Sequence, residues 1–114
     1  MKYLCLIYNE EDKVADAPPE LLEQVLAECR TYDTRLREQG KLLASQRLQP
    51  VATARSLHFD GGKVSVTDGP FAETKEQLGG FYLIEAADME EAMEIARGIP
   101  PARFGTLEVR PVWE

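Results

Sequence analysis

The sequence predicts an α+β protein in which two helices pack on one face of an antiparallel sheet. Apolar runs of strand length lie near both ends and in the middle of the chain, and two segments show helical spacing. An Asp-Gly-Gly turn between two short runs adds the signal of a β-hairpin. The length of 114 residues indicates one domain, which spans residues 1–114.

Composition and charge narrow the functional classes. The formal net charge is −7, which repels phosphate backbones, so we expect no nucleic-acid partner. No apolar run approaches the roughly 20 residues of a membrane helix, so no membrane partner is expected. Cys5 and Cys29 fall on a predicted strand and helix as core thiols, which favours a reducing, cytoplasmic setting. One histidine and two distant cysteines lack metal-ligand spacing, and we predict no cofactor.

The first forty residues predict a strand followed by a helix. Residues 2–8 are apolar on both sides, as in a central strand that is covered on both faces. Residues 9–17 form a polar connection, and the two prolines at 18–19 begin the helix because proline tolerates the first turn. Gly40 ends the helix in the C′ position. One apolar stripe at helical spacing consists of Leu22, Val25, Leu26, Cys29, Tyr32 and Leu36.

The middle of the chain predicts a second strand and a hairpin. Residues 42–48 form the strand, and Pro50 stops it. Residues 56–59 and 63–67 then flank the Asp-Gly-Gly turn. The hairpin is predicted either as an appendage or as an extension of the sheet.

The last third predicts a strand, a helix and a final strand. Residues 79–86 are again apolar on both faces. Asp88 with Glu91 three residues later is an N-cap pattern, and Gly98 ends the helix that follows. Residues 106–112 form the last strand.

Without the hairpin, the order β-α-β-β-α-β is that of a ferredoxin-like plait. Its two helices would cover one face of the sheet, although the strands at 2–8 and 79–86 are apolar on both faces. A soluble monomer rarely exposes so large an apolar patch. We therefore predict a homodimer in which a second copy stacks on the uncovered face about a two-fold axis.

The connection at residues 67–80 is more elaborate than two strand ends require, and we predict that it shapes one wall of a pocket. Asp68 has two readings. In the first, its carboxylate caps a turn, Gly69 adopts a backbone conformation that others avoid, and Phe71 anchors the loop in the core. In the second, the same turn presents Asp68 to a cleft as a base or as a ligand for a cationic or hydroxyl group.

The predicted ligand site consists of Asp68, Phe71, Lys75, Tyr82 and Arg110, with Asp68 as the best catalytic candidate. Lys75 either lies in a solvated loop or supplies positive charge for a carboxylate ligand. Arg110 either pairs with a neighbouring acid or, if it faces an enclosed space, needs an acidic partner or an anionic ligand.

Three further features carry weaker expectations. His58 in the hairpin has no visible nucleophile as a partner and reads as a surface or packed residue. The glycines at 79–80 indicate a close approach by a ligand or by a partner subunit. Trp113 is expected to pack at the dimer interface.

The motif Asp-Gly-Pro-Phe at residues 68–71, with its sequel at 72–76, resembles the signature of the DGPF proteins, a YCII-related family. The opening at residues 1–8 and the closing stretch at 108–112 are similar to that family too. The resemblance covers essentially the whole chain. It implies a dimeric α+β barrel and no assigned reaction, and it implies a regulatory link with an extracytoplasmic-function sigma factor.

Wider YCII-like proteins carry a catalytic pair, a His at the start of the first helix and an Asp before a proline after the second helix. By the resemblance, Glu20 replaces the His, and Ile99 precedes Pro100 in place of the Asp. Both positions depart from the pattern.

These observations lead to three functional hypotheses. The first is a small-molecule-binding protein or weak enzyme with a pocket beside the sheet under the Asp-Gly-Pro-Phe turn. The second is a non-catalytic regulatory protein that acts with a sigma factor. The third is a scaffold dimer in which the turn only stabilises the fold. No nucleotide-binding glycine loop and no nucleophile–base pair supports a named enzyme class.

Overall fold

A computed structural model describes residues 1–114. The strands are β1 (Lys2–Asn9), β2 (Leu42–Arg47), β3 (Arg55–Asp60), β4 (Lys63–Asp68), β5 (Gln77–Glu85) and β6 (Gly105–Pro111). The α-helices are α1 (Glu11–Asp16), α2 (Pro19–Glu38) and α3 (Met89–Arg97), and short 3₁₀ helices span Val51–Thr53 and Pro100–Phe104. None of the helices has the length and apolarity that crossing a bilayer would require.

Four strands form one sheet in the order β2-β5-β1-β6, and each neighbouring pair is antiparallel. Strands β3 and β4 pair only with each other and form a separate two-stranded sheet. The α+β class is confirmed, and the strand order is compatible with the predicted ferredoxin-like plait. The dimeric barrel involves a second chain and stays a prediction.

The core lies between the helices and one face of the sheet. On β1, Tyr3, Cys5 and Ile7 are buried, whereas Leu4 and Leu6 are only half-buried. Strand β5 alternates in the same way, because successive side chains of a strand point to opposite faces. The central strands are therefore fully covered on one side only. We call the other side the open face, and its apolar residues are Leu4, Leu6, Phe81 and Leu83.

The helix ends follow from local chemistry as predicted. Helix α2 begins at Pro19, and Gly40 beyond its end has φ +71°, a conformation that glycine adopts at low cost. The Asp88 carboxylate accepts a hydrogen bond of 2.9 Å from the amide of Glu91 and caps α3.

Helix α1 lies where a polar connection was predicted, so that prediction was wrong. This helix is six residues long, too short for an apolar stripe to stand out. Contacts distant in sequence hold it. The Glu11 amide donates to the side-chain oxygen of Gln77 at 3.0 Å, and a Glu11 carboxylate oxygen accepts from the Val51 amide at 2.8 Å. Tertiary contacts therefore decide its conformation.

The glycines at 79–80 bring backbones together, as expected, but the neighbours belong to this chain. A Cβ on Gly80 would lie 2.8 Å from the carbonyl oxygen of Gln46 on β2. A Cβ on Gly79 would lie 3.1 Å from the side-chain oxygen of Asn9. The absent side chains thus allow β2 and Asn9 to approach β5 closely.

Candidate ligand cavity

A cavity of about 520 Å³ lies between the sheet and the helices α1 and α2. Small-molecule sites commonly occupy about 300–1,000 Å³ and have mainly apolar walls with a few polar groups. Here 11 of the 22 lining residues are hydrophobic, so the cavity can hold a small, largely apolar molecule. Its main apolar walls are Ile7, Leu22, Val25, Leu26, Leu78 and Phe104.

The apolar stripe of α2 has two roles along its length. Leu36, near the end of the helix, is part of the hydrophobic core. Earlier in the helix, Leu22, Val25 and Leu26 line the cavity, and Leu26 remains 42% exposed. The predicted stripe is confirmed, but its first half faces a hollow instead of a packed core. A helix face that is apolar yet incompletely packed is what a ligand-binding wall requires.

A hydrogen-bonded polar pair lies in the wall of this cavity. Tyr82 on β5 is buried, and its hydroxyl donates to the Asp33 carboxylate on α2. Burial raises the pKa of Tyr82, and the hydrogen bond to Asp33 raises it further, because the protonated phenol is the form that donates. The pair therefore places a neutral donor and a carboxylate side by side at an apolar surface.

Cys29 lies one helical turn before Asp33 and also lines the cavity. Burial raises the pKa of its thiol, and the nearby Asp33 charge raises it further. A thiol with a raised pKa is a poor nucleophile because the thiolate is the reactive form. Cys29 is thus a neutral, polarisable part of the wall, and the expectation of a fully buried core thiol holds for Cys5 alone.

The remaining polar lining lies on β1, β2 and α1. Ser45 and Arg47 line the cavity from β2, and Asn9 lines it from the end of β1. Glu11 completes this side, and its hydrogen bond to the Val51 amide ties α1 to the chain that leaves β2. Arg47 is exposed and takes part in no ion pair, which leaves a cation available at the margin of the cavity. No group of three or more His, Cys, Asp or Glu side chains is placed to hold a metal ion.

Of the residues predicted for the ligand site, Tyr82 alone lines the cavity. Asp68 ends β4 and pairs with Arg55 across the hairpin at 3.5 Å, with both side chains largely exposed. Phe71 is 90% exposed, so it does not anchor the loop in the core.

The two predicted cations lie elsewhere. Lys75 is exposed and forms an ion pair of 3.7 Å with Glu10, just before α1. Arg110 is exposed on β6, and its Nε donates to Glu108 at 3.0 Å on the same strand. Of the two alternatives predicted for Arg110, the structure shows the ion pair with a neighbouring acid. The structure does not bring Asp68, Lys75 and Arg110 together.

The resemblance-based pair is also absent from the cavity lining. Glu20 is exposed in the first turn of α2, and Ile99 is buried in the hydrophobic core. Trp113 is fully exposed, and His58 is exposed on the hairpin. The exposure of His58 agrees with its interpretation as a surface residue.

Sequence reasoning missed Asp33 and did not assign Cys29 to a site. A signal was present, because Asp33 falls four residues after Cys29 and three before Leu36, inside the apolar stripe. A carboxylate in an apolar stripe is unusual because burying it without a partner is costly. Its partner Tyr82 lies 49 residues further along the chain, so only the tertiary fold identifies the pair.

Comparison with known proteins gives two findings. The model of the YCII-related domain matches residues 1–114. An uncharacterized protein of Rhizobium meliloti (strain 1021) is 41% identical over 114 residues, which cover 98% of this chain and 92% of the relative. The match extends over the sheet, the helices and the hairpin alike, and the chain therefore belongs to the YCII-related family.

Proposed function

We propose that this protein binds a small, largely apolar molecule in the cavity between the sheet and helices α1 and α2. The observation that carries the proposal is the hydrogen bond between Tyr82 and Asp33 in the wall of a cavity of about 520 Å³, half of whose lining residues are hydrophobic. The pocket predicted from the sequence lay under the Asp-Gly-Pro-Phe turn. The proposal now assigns it to the helix-covered face of the sheet.

The lining indicates which ligand chemistry fits. Asp33 receives one hydrogen bond from Tyr82, and a carboxylate can accept several, so it can also receive a hydroxyl or amine of the ligand. Arg47 at the margin suits an anionic group at the other end of the molecule. The proposed ligand therefore has an apolar body, a hydrogen-bond donor at one end and, optionally, an acidic group at the other.

The same pair is suited to proton transfer, which is the basis for proposing weak enzymatic activity. Asp33 is placed as a proton acceptor for an acidic group of the ligand. The Tyr82 hydroxyl, whose pKa is raised by burial, stays protonated and orients the Asp33 carboxylate through its hydrogen bond.

The test is a thermal-shift screen of small hydroxylated and amine-bearing acids, followed by calorimetry on each hit. A ligand at ten times its Kd adds about 1.4 kcal/mol to stability, which raises Tm by several degrees in a domain of this size. We expect Asp33→Asn to weaken binding by about tenfold or more, because it removes the charge that accepts the ligand's donor, and Tyr82→Phe to weaken it because Asp33 loses the hydrogen bond that orients it. Asp68→Asn is the control, since Asp68 lies on the hairpin and outside the cavity.

Two results would overturn the proposal. One is a screen without any ligand that shifts Tm. The other is binding that the cavity variants leave unchanged. The regulatory alternative predicts a partner protein instead, and affinity capture of a sigma factor on the Asp33→Asn variant would support it.

For the assembly we propose a homodimer through the open face. The half-buried Leu4, Leu6, Phe81 and Leu83 support it, because they lie on the two central strands where no helix of the chain packs.

A further inference from the structure

One face of the β3–β4 hairpin is apolar and exposed. Antiparallel pairing sets Leu57 opposite Val66 and Phe59 opposite Val64. Because strand side chains alternate, these four project to the same side, while His58 projects to the other. Their exposures lie between 54% and 72%. We call this group of four the hairpin's apolar face.

The hairpin is little packed against the rest of the chain. No residue of β3 or β4 is buried. An isolated two-stranded hairpin is at best marginally stable in water. The apolar face exposes on the order of 400 Å², a patch size that on soluble proteins is often functional.

We propose that the hairpin's apolar face docks on a second copy of this chain and forms part of the dimer interface. This inference rests on the proposed homodimer and adds a second, separate surface to it. The charges around the patch are the first argument for this occupant. Arg55 and Lys63 are balanced by Asp60 and Asp68, so the hairpin strands are neutral within a chain of net charge −7.

Two-fold symmetry makes two of these charges complementary to themselves. Because side chains alternate along a strand, Arg55 and Asp68 project to the same side as the apolar face, whereas Asp60 and Lys63 project to the other side. When two hairpins stack face to face with their tips together, Arg55 lies over the second copy's Asp68, and Asp68 lies over its Arg55. The cation of each copy therefore meets the acid of the other, which favours a self-complementary contact.

The area argues for the same occupant. Two apolar faces bury on the order of 800 Å², less than the roughly 1,200–2,000 Å² of a stable interface. The open face of the sheet supplies a further apolar surface on the same chain. A dimer that uses both surfaces buries more area than the hairpin contact alone. An anionic membrane does not suit a protein of charge −7, because the headgroups repel it.

The test compares two variants of the hairpin by sedimentation equilibrium. The double variant Leu57→Ser with Phe59→Ser removes half of the apolar face, and His58→Ala is the control on the opposite side of the same strand. We expect the double variant to raise the dimer Kd by about tenfold or more and the control to leave it unchanged. Because no residue of the hairpin is buried, both variants retain the core, which circular dichroism checks.

Hydrogen exchange gives an independent readout. Residues 55–68 of the unaltered protein are expected to exchange more slowly as protein concentration rises through the dimer Kd. The proposal would be overturned if the unaltered protein stayed monomeric at 100 times the concentration used for sedimentation equilibrium. So would a dimer whose Kd is the same in the double variant. Ligand-induced Tm shifts report on the cavity separately, so this proposal and the proposed function can fail independently.

Discussion

A double-mutant cycle on Tyr82 and Asp33 tests whether the polar pair in the cavity wall is a real interaction. Tyr82→Phe removes the hydroxyl and keeps the buried ring, while Asp33→Ala leaves that hydroxyl without its acceptor. Hydrogen bonds to charged groups contribute about 1.5–3 kcal/mol. Asp33 is half-buried, so water partly replaces its lost partner. We therefore expect a coupling near the lower limit, about 1.5 kcal/mol.

The assay is urea unfolding of the four proteins of the cycle at neutral pH with a common m-value. Tyr32→Phe combined with Asp33→Ala is the matched control. The Tyr32 hydroxyl donates at 2.5 Å to the carbonyl oxygen of Ile95 and not to Asp33. We expect the control pair to be additive. If the free-energy losses of Tyr82→Phe and Asp33→Ala also add within about 0.5 kcal/mol, the pair is not coupled and the reasoning is refuted.

Two further predictions concern the sheet. Gly80→Ala should lower the free energy of unfolding, measured by urea titration, by about 1–3 kcal/mol. The new Cβ would lie 2.8 Å from the Gln46 carbonyl oxygen, so β2 must shift. An unchanged urea midpoint would contradict this close approach of β2 to β5. Burial raises the pKa of the Cys5 thiol from 9.0 to about 11. The stability that Cys5 contributes is fully present below the pKa of the unfolded chain, and it is lost as the pH rises through the pKa of the folded protein. The free energy of unfolding should therefore fall between about pH 9 and 11. Cys5→Ala should show a shallower fall there, and equal slopes would exclude this assignment.

The sheet was predictable because its signals are local. The runs at β1 and β5, the cap at Asp88 and the glycine at Gly40 each follow from a few neighbouring residues. The two predictions that were wrong, the polar connection at residues 9–17 and the location of the ligand site, concern features that depend on distant contacts. Helix α1 is held by Gln77 and by the chain after β2, and no local pattern announces it.

The candidate site was less predictable for the same reason. Tyr82 was selected, but its partner Asp33 was hidden among the apolar residues of α2. An isolated charge in a helical stripe can equally lie at its solvated edge, and only the position of β5 relative to α2 decides. The volume of a cavity likewise depends on how far a helix stands from the sheet, which periodicity does not encode.

The Asp-Gly-Pro-Phe turn illustrates how a conspicuous motif can position one surface while another carries the polar chemistry. Gly69 has φ +95°, its amide donates to Ala54 at 2.7 Å, and its carbonyl accepts from the Ser56 hydroxyl at 2.9 Å. With the ion pair between Arg55 and Asp68, these contacts close the root of the hairpin. The motif therefore fixes where the pairing of the two hairpin strands ends. On this reasoning its residues set the geometry of the hairpin whose apolar face we propose to dock on a second copy, whereas Tyr82 and Asp33 belong to the cavity. Variants of the two groups should therefore separate assembly from ligand binding.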